Sequence, residues 1–336
     1  MNRISLLLAT MVVLSGCQSM GPEPLSNTRS IYTGDNSLLY QVKKQASSPE
    51  QAMQIAAMAY RAGDLDQALY QYLRALELDP ERYAALVWVG RIHRERGNNQ
   101  LAEMAFAEVL GKDAENLAAL TEMGLLQLAL RRQEKAAQIL TTAVAIDQKR
   151  FAGEGLQVDS QSPLKLYNGM GVLADLRNDF AAAALYYGLS LRIDPGSALA
   201  HNSLAYSQYL AGDWSGAERQ YRRGIDLAPN YKPLWRNYGL LLARSERYEE
   251  ALSAFEQVGS RAEASNDVGY VCLIEGRLDI AEQFFHSAIE QSPAHYALAW
   301  DNLRRVEQIR KIRLQSGQAP LAEAVAGVPG EPQALP

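Results

Sequence analysis

The chain has 336 residues, 48% of them hydrophobic and 21% charged, a composition of globular proteins and not of disordered segments. Its formal net charge of -5 argues against a nucleic-acid binder, which would carry a basic patch or stripe. Alanine and leucine dominate, β-branched residues are few and proline recurs at intervals, so the chain reads as all-α.

The N-terminus opens with Met1-Asn2-Arg3 and continues into Ile4–Leu14, eleven mostly apolar residues. That run is too short for a membrane span, which takes about 20 residues. It fits the charged and apolar regions of a secretory signal. It ends on Leu14-Ser15-Gly16-Cys17, which resembles the bacterial lipobox. The resemblance implies cleavage before Cys17, a diacylglyceride on its thiol and an acyl chain on its new amine. Stable anchoring takes about two such signals. Residues 1–16 are then a lipoprotein signal peptide, and the covalent lipid on Cys17 is the one non-protein group expected, with no other cofactor. In enterobacterial lipoproteins an Asp after the cysteine favours inner-membrane retention. By that resemblance Gln18 points to the periplasmic face of the outer membrane. Losing Arg3 with the signal moves the charge from -5 to -6. Residues 17–48 read as the lipidated cysteine and a flexible tether with a short N-terminal helix. Its eighteen residues from Gln18 to Asp35 reach about 25 Å. The second cysteine, Cys272, has no partner left and is expected to be buried.

From residue 49 onward a period of 34 governs the chain. The pairs Ala68-Tyr72, Ala102-Phe106 and Ala136-Leu140 follow one another at 34 residues, as do Ala183-Tyr187 and Ala217-Tyr221, and Ala251-Phe255 and Ala281-Phe285 continue the series. Twelve residues before each of these alanines lies another small residue: Ala56, Gly90, Gly124, Gly171, Ala205, Gly239 and Gly269. Pro80, Pro195, Pro229 and Pro293 recur at one register position, where a ring without an N–H stops a helix. Between helices stand turns such as Ala62-Gly63-Asp64 and Ala211-Gly212-Asp213. The pattern resembles the tetratricopeptide repeat, whose unit is two antiparallel helices with small residues at positions 8, 20 and 27 and a large one at 24. The fold class expected is an all-α, right-handed solenoid of about seven helix pairs plus a C-terminal capping helix. The units fall at 49–82, 83–116 and 117–150, making repeats one to three over 49–150. Residues 164–197, 198–231, 232–261 and 262–295 make repeats four to seven over 164–295. An insert at 151–163 separates the two sets and reads either as a hinge or as a loop packed into the groove. Unit six is four residues short, so its second helix should be clipped near Gly259. Residues 296–314 read as the capping helix that an end of a repeat stack requires, and 315–336 as a disordered tail.

No catalytic constellation is present in the sequence. The four histidines, His93, His201, His286 and His295, form no metal-ligand spacing, and neither a nucleophile elbow nor a P-loop occurs. Gly169-Met170-Gly171-Val172-Leu173-Ala174 matches a loose dinucleotide fingerprint, but no strand precedes it and Gly171 is already the repeat's position 8. The chain is therefore read as a non-enzyme without a metal. Resemblance to the repeat family implies that first helices line a concave face through positions 2, 5, 9, 12 and 13. Those positions carry Arg91 and Arg94, Lys165 and Asn168, Asn202, Tyr206 and Tyr209, Arg236 and Arg244, and Asn266 and Tyr270. Recurrent amides can pair with the backbone of an extended peptide, and tyrosines can anchor it. The paired-carboxylate clamp of chaperone-binding relatives is not reproduced.

Lipobox and repeats together resemble the Tad (tight adherence, Flp) pilus assembly lipoprotein and, more loosely, the type IV pilus pilotin. The resemblance implies an outer-membrane-anchored periplasmic scaffold for pilus or secretion-system assembly. Its partner would be a protein or peptide, such as a secretin or pilus component, with the membrane reached through the lipid, no nucleic acid, and homodimerisation open. The alternative is an adaptor that recruits peptidoglycan hydrolases or a periplasmic protease to the envelope.

Overall fold

The computed structural model describes residues 46–316. The signal peptide, Cys17, the tether up to residue 45 and the tail beyond 316 lie outside the described residues. Among the described residues there are fifteen α-helices and no strand. The chain divides into two compact units with the boundary between Val89 and Gly90.

The first unit holds α1 (Pro49–Arg61), α2 (Leu65–Leu78) and the start of α3 (Tyr83–Glu95). Ser48 accepts a hydrogen bond from the Gln51 N–H and Pro49 occupies the first helical position, where its missing N–H costs nothing. Asp64 caps α2 in the same way through the Gln67 N–H at 2.9 Å. Tyr72, wholly buried, is stacked on Trp88 with ring centroids 5.5 Å apart, and Tyr60 meets the same indole edge-on at 4.8 Å.

The second unit continues through α4 (Asn99–Lys112), α5 (Leu117–Ala129), α6 (Gln133–Gln148), α7 (Leu164–Asp175), α8 (Phe180–Ile193), α9 (Ala198–Leu210), α10 (Trp214–Leu227), α11 (Lys232–Arg244), α12 (Tyr248–Phe255), α13 (Arg261–Ile274), α14 (Leu278–Gln291) and α15 (Ala297–Ser316). Each even-numbered helix from α6 on packs against the helix before it and the helix after it. The odd-numbered helices from α5 to α15 lie side by side. The result is the stack of helix pairs that the period of 34 predicts. Unit six shows the cost of its four missing residues: α12 has 8 residues where its counterparts α10 and α14 have 14. Helix α15 buries Leu303, Val306 and Ile309 on one face and extends to Ser316, two residues past the predicted cap.

The helices of a pair approach closely because one partner lacks a side chain. A Cβ placed on Gly90 would lie 2.5 Å from the Phe106 ring. The same construction gives 2.4 Å from Tyr187 at Gly171, 2.9 Å from Phe255 at Gly239, and 2.8 Å from Phe285 at Gly269. Position 8 is thus a slot for the buried group at position 24, each such group contributing about 1.5–3 kcal/mol through burial. The turn inside each pair is equally regular. Gly63, Gly97, Arg131, Asn178, Gly212, Glu246 and Gly276, all at position 15, have φ between 57° and 84°. The following N–H reaches back five residues, as from Asp213 to the Gln208 carbonyl at 2.9 Å, which closes the helix end.

The 151–163 insert is fastened at several points. Gln148 donates to the Gln157 carbonyl at 2.7 Å and accepts from the Gln157 N–H at 3.0 Å. Arg150 donates to Asp147, Asp159 and the Ser162 hydroxyl, and the Tyr167 hydroxyl donates to Asp147 at 2.6 Å. Leu156 and Val158 pack on the core formed by α5 to α8.

Two expectations follow from these contacts. Gly171→Ala lowers the denaturation midpoint, because overpacking costs about 1–3 kcal/mol while the helix-propensity gain is about 1 kcal/mol. Gly124→Ala, whose new methyl meets Leu140 Cδ2 and Cγ and, more loosely, Ile139 Cγ2, costs less, because a leucine can turn aside where a ring whose hydroxyl is hydrogen-bonded to Asp175 cannot; the reverse order would show that the Tyr187 ring is not held. Arg131→Gly raises the thermal midpoint, since a left-handed residue other than glycine costs about 1–2 kcal/mol, and an unchanged midpoint would refute strain at that turn.

Candidate interaction surface

The face built by the first helices of the second unit carries most of the predicted contact residues, and the structure sorts them into those engaged within the chain and those left outward. Glu122 on α5 is 1% exposed, an acidic side chain in a helix made largely of leucine and alanine. A buried charge persists only when paired. Here Arg91 Nε donates to it at 2.7 Å and Arg94 Nη2 at 3.0 Å. Both guanidiniums that the sequence assigns to the partner are therefore committed in part to an internal carboxylate.

The amides behave similarly. Asn202 and Asn266 are buried, and their oxygens accept hydrogen bonds at 3.0 Å from Asn237 and Asn302 respectively, one unit further along the chain. Asn168 is buried too, yet its Oδ1 has no hydrogen-bond partner. Tyr209 is nearly buried and accepts from Arg244 at 3.0 Å; that guanidinium sits 5.3 Å from the Tyr209 ring centroid and 5.7 Å from that of Trp214. Arg244 also lies 2.9 Å from Glu275, and Tyr206 stacks on Tyr209 at 5.8 Å. Tyr206 and Tyr270 are half-buried, while Lys165 and Arg236 are exposed.

The structure adds residues that the repeat register does not single out. Glu122, Asn237 and Asn302 are the internal partners, and an acidic or amide side chain in an otherwise apolar first helix was the available signal. Asp267, one residue after Asn266, is a further case. Burial pushes its pKa up to about 6, opposed by the nearby Arg236 charge and a hydrogen bond from Asn266, with Glu263 adding to the rise. Tyr296 stands beside it and is raised to about 12, chiefly by burial. Cys272 is wholly buried, and its thiol is raised to about 11 by the loss of water. Among the described residues no group of three His, Cys, Asp or Glu side chains is placed to hold a metal ion. No helix among them is long and apolar enough to cross a membrane.

A sequence profile of the tetratricopeptide repeat matches residues 56–116, 90–150 and 202–261. No curated protein matches the sequence. Among solved structures, a tetratricopeptide repeat protein from Parabacteroides merdae is 18% identical with a TM-score of 0.50, over 78% of this chain and 100% of that one. The APC/C hetero-tetramer Cut9-Hcn1 gives a TM-score of 0.58 at 18% identity, over 80% of this chain and 51% of that one. PilW, described as a widely conserved type IV pilus biogenesis factor, gives 0.48 at 17% identity over 77% of this chain and 97% of that one. At 18% identity the first two likenesses reach the fold alone. With the repeat profile and the helix-pair packing they show a tetratricopeptide-type arrangement, which is a scaffold for protein–protein interaction.

The Asp267 carboxyl gives the surface a pH signature. Its folded pKa of about 6 lies above the ordinary aspartate value of 3.8, so its contribution to stability is full below about pH 4 and lost as pH rises through 6. Asp267→Asn removes that dependence. The stability of the wild type should fall relative to the variant between about pH 4 and 6 and run parallel above, as read by denaturant midpoints; a constant difference would refute the buried carboxyl.

Proposed function

We propose that the protein is lipidated at Cys17, held at the periplasmic face of the outer membrane, and acts there as a binding scaffold in the assembly of a pilus or secretion apparatus. The observation that carries the binding role is the side-by-side row of first helices α5 to α15, on which Lys165 and Arg236 are exposed and Tyr206 and Tyr270 half-buried. A short apolar run ending on Leu14-Ser15-Gly16-Cys17 supports the anchor, and the polar stretch that follows supports a scaffold standing off the membrane by about 25 Å. The choice of a pilus or secretion partner rests on the resemblance of lipobox plus repeats to assembly lipoproteins. Action is by binding, with no turnover.

The test joins anchor and surface. Cys17→Ser should abolish incorporation of an alkyne-tagged palmitate and release the protein from the outer-membrane fraction; continued membrane association would refute the anchor. A photo-reactive residue at the exposed Arg236 position should capture a secretin or pilus subunit from crosslinked cells. Capture of a peptidoglycan hydrolase or protease would replace this reading with the adaptor reading, and capture of lipid or of the chain itself alone would refute the surface.

A further inference from the structure

Helix α15 differs from the rest of the chain in charge. Its 20 residues hold five cations, Arg304, Arg305, Arg310, Lys311 and Arg313, against two carboxylates, Asp301 and Glu307, a surplus of three. The whole chain carries -5, so the residues outside α15 sum to -8. Three of the five cations are engaged within the chain. Arg304 pairs with Asp301, Arg310 pairs with Asp279 and, at 2.7 Å, with Glu282, and Arg305 donates to Asn302 Oδ1 at 3.2 Å. Among the described residues no carboxylate lies within ion-pair distance of Lys311 or Arg313.

The same helix is unusual in what it leaves in water. It packs on α13 and α14, with Ala299, Leu303, Val306 and Ile309 buried. On its other sides Leu298 is 50% exposed, Trp300 38%, Ile312 47% and Leu314 85%. Trp300, Arg304, Glu307, Lys311 and Leu314 fall at i, i+4, i+7, i+11 and i+14, which is one stripe along a helix. That stripe runs for about 21 Å. An acidic peptide would answer the cations, but a single convex helix has no concavity to enclose one. Large apolar groups interleaved with long cationic side chains match the boundary of a bilayer. There an indole lies at head-group level, leucine enters the acyl edge, and lysine and arginine reach the phosphates.

We propose that the outward face of α15 docks on an anionic phospholipid surface, with Lys311 and Arg313 on the phosphates and Trp300 and Leu314 in the boundary below them. The proposal goes beyond the scaffold reading and rests on it only for a bilayer within reach. It makes α15 a second, reversible attachment beside the lipid at Cys17. Glu307, in the middle of the stripe, opposes the contact. The attraction is between exposed charges, so it weakens as salt rises.

The test uses the mature chain from Cys17 onward, made without acylation so that the anchor does not mask the contact. Vesicles of phosphatidylcholine, alone or mixed with phosphatidylglycerol, are read by co-sedimentation. The chain should bind the anionic vesicles and not the neutral ones. Lys311→Gln and Arg313→Gln should each weaken binding about fivefold, the worth of one cation near such a surface. Glu307→Gln should strengthen it by a similar factor. Arg219→Gln, exposed on α10, should leave it unchanged. The emission that Trp300→Phe removes should shift to the blue on binding and be quenched by brominated acyl chains, which an indole with a purely structural role would not show. Absent binding to the anionic vesicles, equal binding to both kinds, or full binding by the Lys311→Gln, Arg313→Gln double variant overturns the inference. So does displacement by free glycerol phosphate, which would leave a simple anion site. Sedimentation without vesicles also overturns it, by giving the face to a second copy of the chain. Palmitate incorporation at Cys17 and capture at Arg236 are untouched by these failures, so they are distinguishable from failure of the scaffold reading.

Discussion

The structure depends on one repeated steric fit, a missing side chain at position 8 receiving a large one at position 24. At Gly90, Gly171, Gly239 and Gly269 the space that a Cβ would take is filled by an aromatic ring of the second helix. This sets the spacing within a pair. Because each second helix of the larger unit also packs on the next first helix, the spacing is handed along the stack. Unit four extends the fit by hydrogen bonds: the Tyr187 hydroxyl donates to Asp175 at 2.7 Å, and Ser207 of the next unit donates to the same carboxylate at 2.6 Å. The ring that fills the slot also registers the neighbour.

Polar contacts between first helices do a different job. Asn237 to Asn202, Asn302 to Asn266, Arg244 to the Tyr209 hydroxyl and Arg94 to Glu122 each join residues between 28 and 36 positions apart. An apolar stack alone is indifferent to small slips along the helix axis. A buried amide or carboxylate is not, since a displaced partner leaves it unsatisfied. The same contacts consume side chains that the repeat pattern would offer to a partner. The binding surface is consequently sparser than the register implies, and the side chains still turned outward, Lys165 and Arg236, gain weight.

This explains what was legible in the sequence. Helix pairs, slots and turns were readable because each depends on residues within one period. Four of the seven left-handed turn positions announce themselves as glycine; Arg131, Asn178 and Glu246 do not, because the helix-end hydrogen bonds impose the conformation on whatever residue stands there. The surface was harder. Whether Asn202 faces a ligand or a neighbour is decided by Asn237, which sits one register position away from the series of position-5 amides, and a single repeat contains no record of that choice. Glu122 was visible as a charge in an apolar helix, but its pairing with arginines of the preceding unit was not.

The insert bears on the proposed binding surface. Thirteen residues between two repeats suggest a break in the stack, yet α5 and α7 lie side by side and α6 packs on α7. The reason is local. Asp147 is wholly buried at the end of α6, and Arg150 and the Tyr167 hydroxyl converge on it from the insert's entry and from α7. Gln148 meanwhile clamps the backbone at Gln157 and reaches the same tyrosine at 2.6 Å. Removing either partner of a buried, hydrogen-bonded charge costs about 3–5 kcal/mol, so the insert is bound to the stack and does not act as a free hinge. It thereby holds the start of α7 in place, and with it the exposed Lys165.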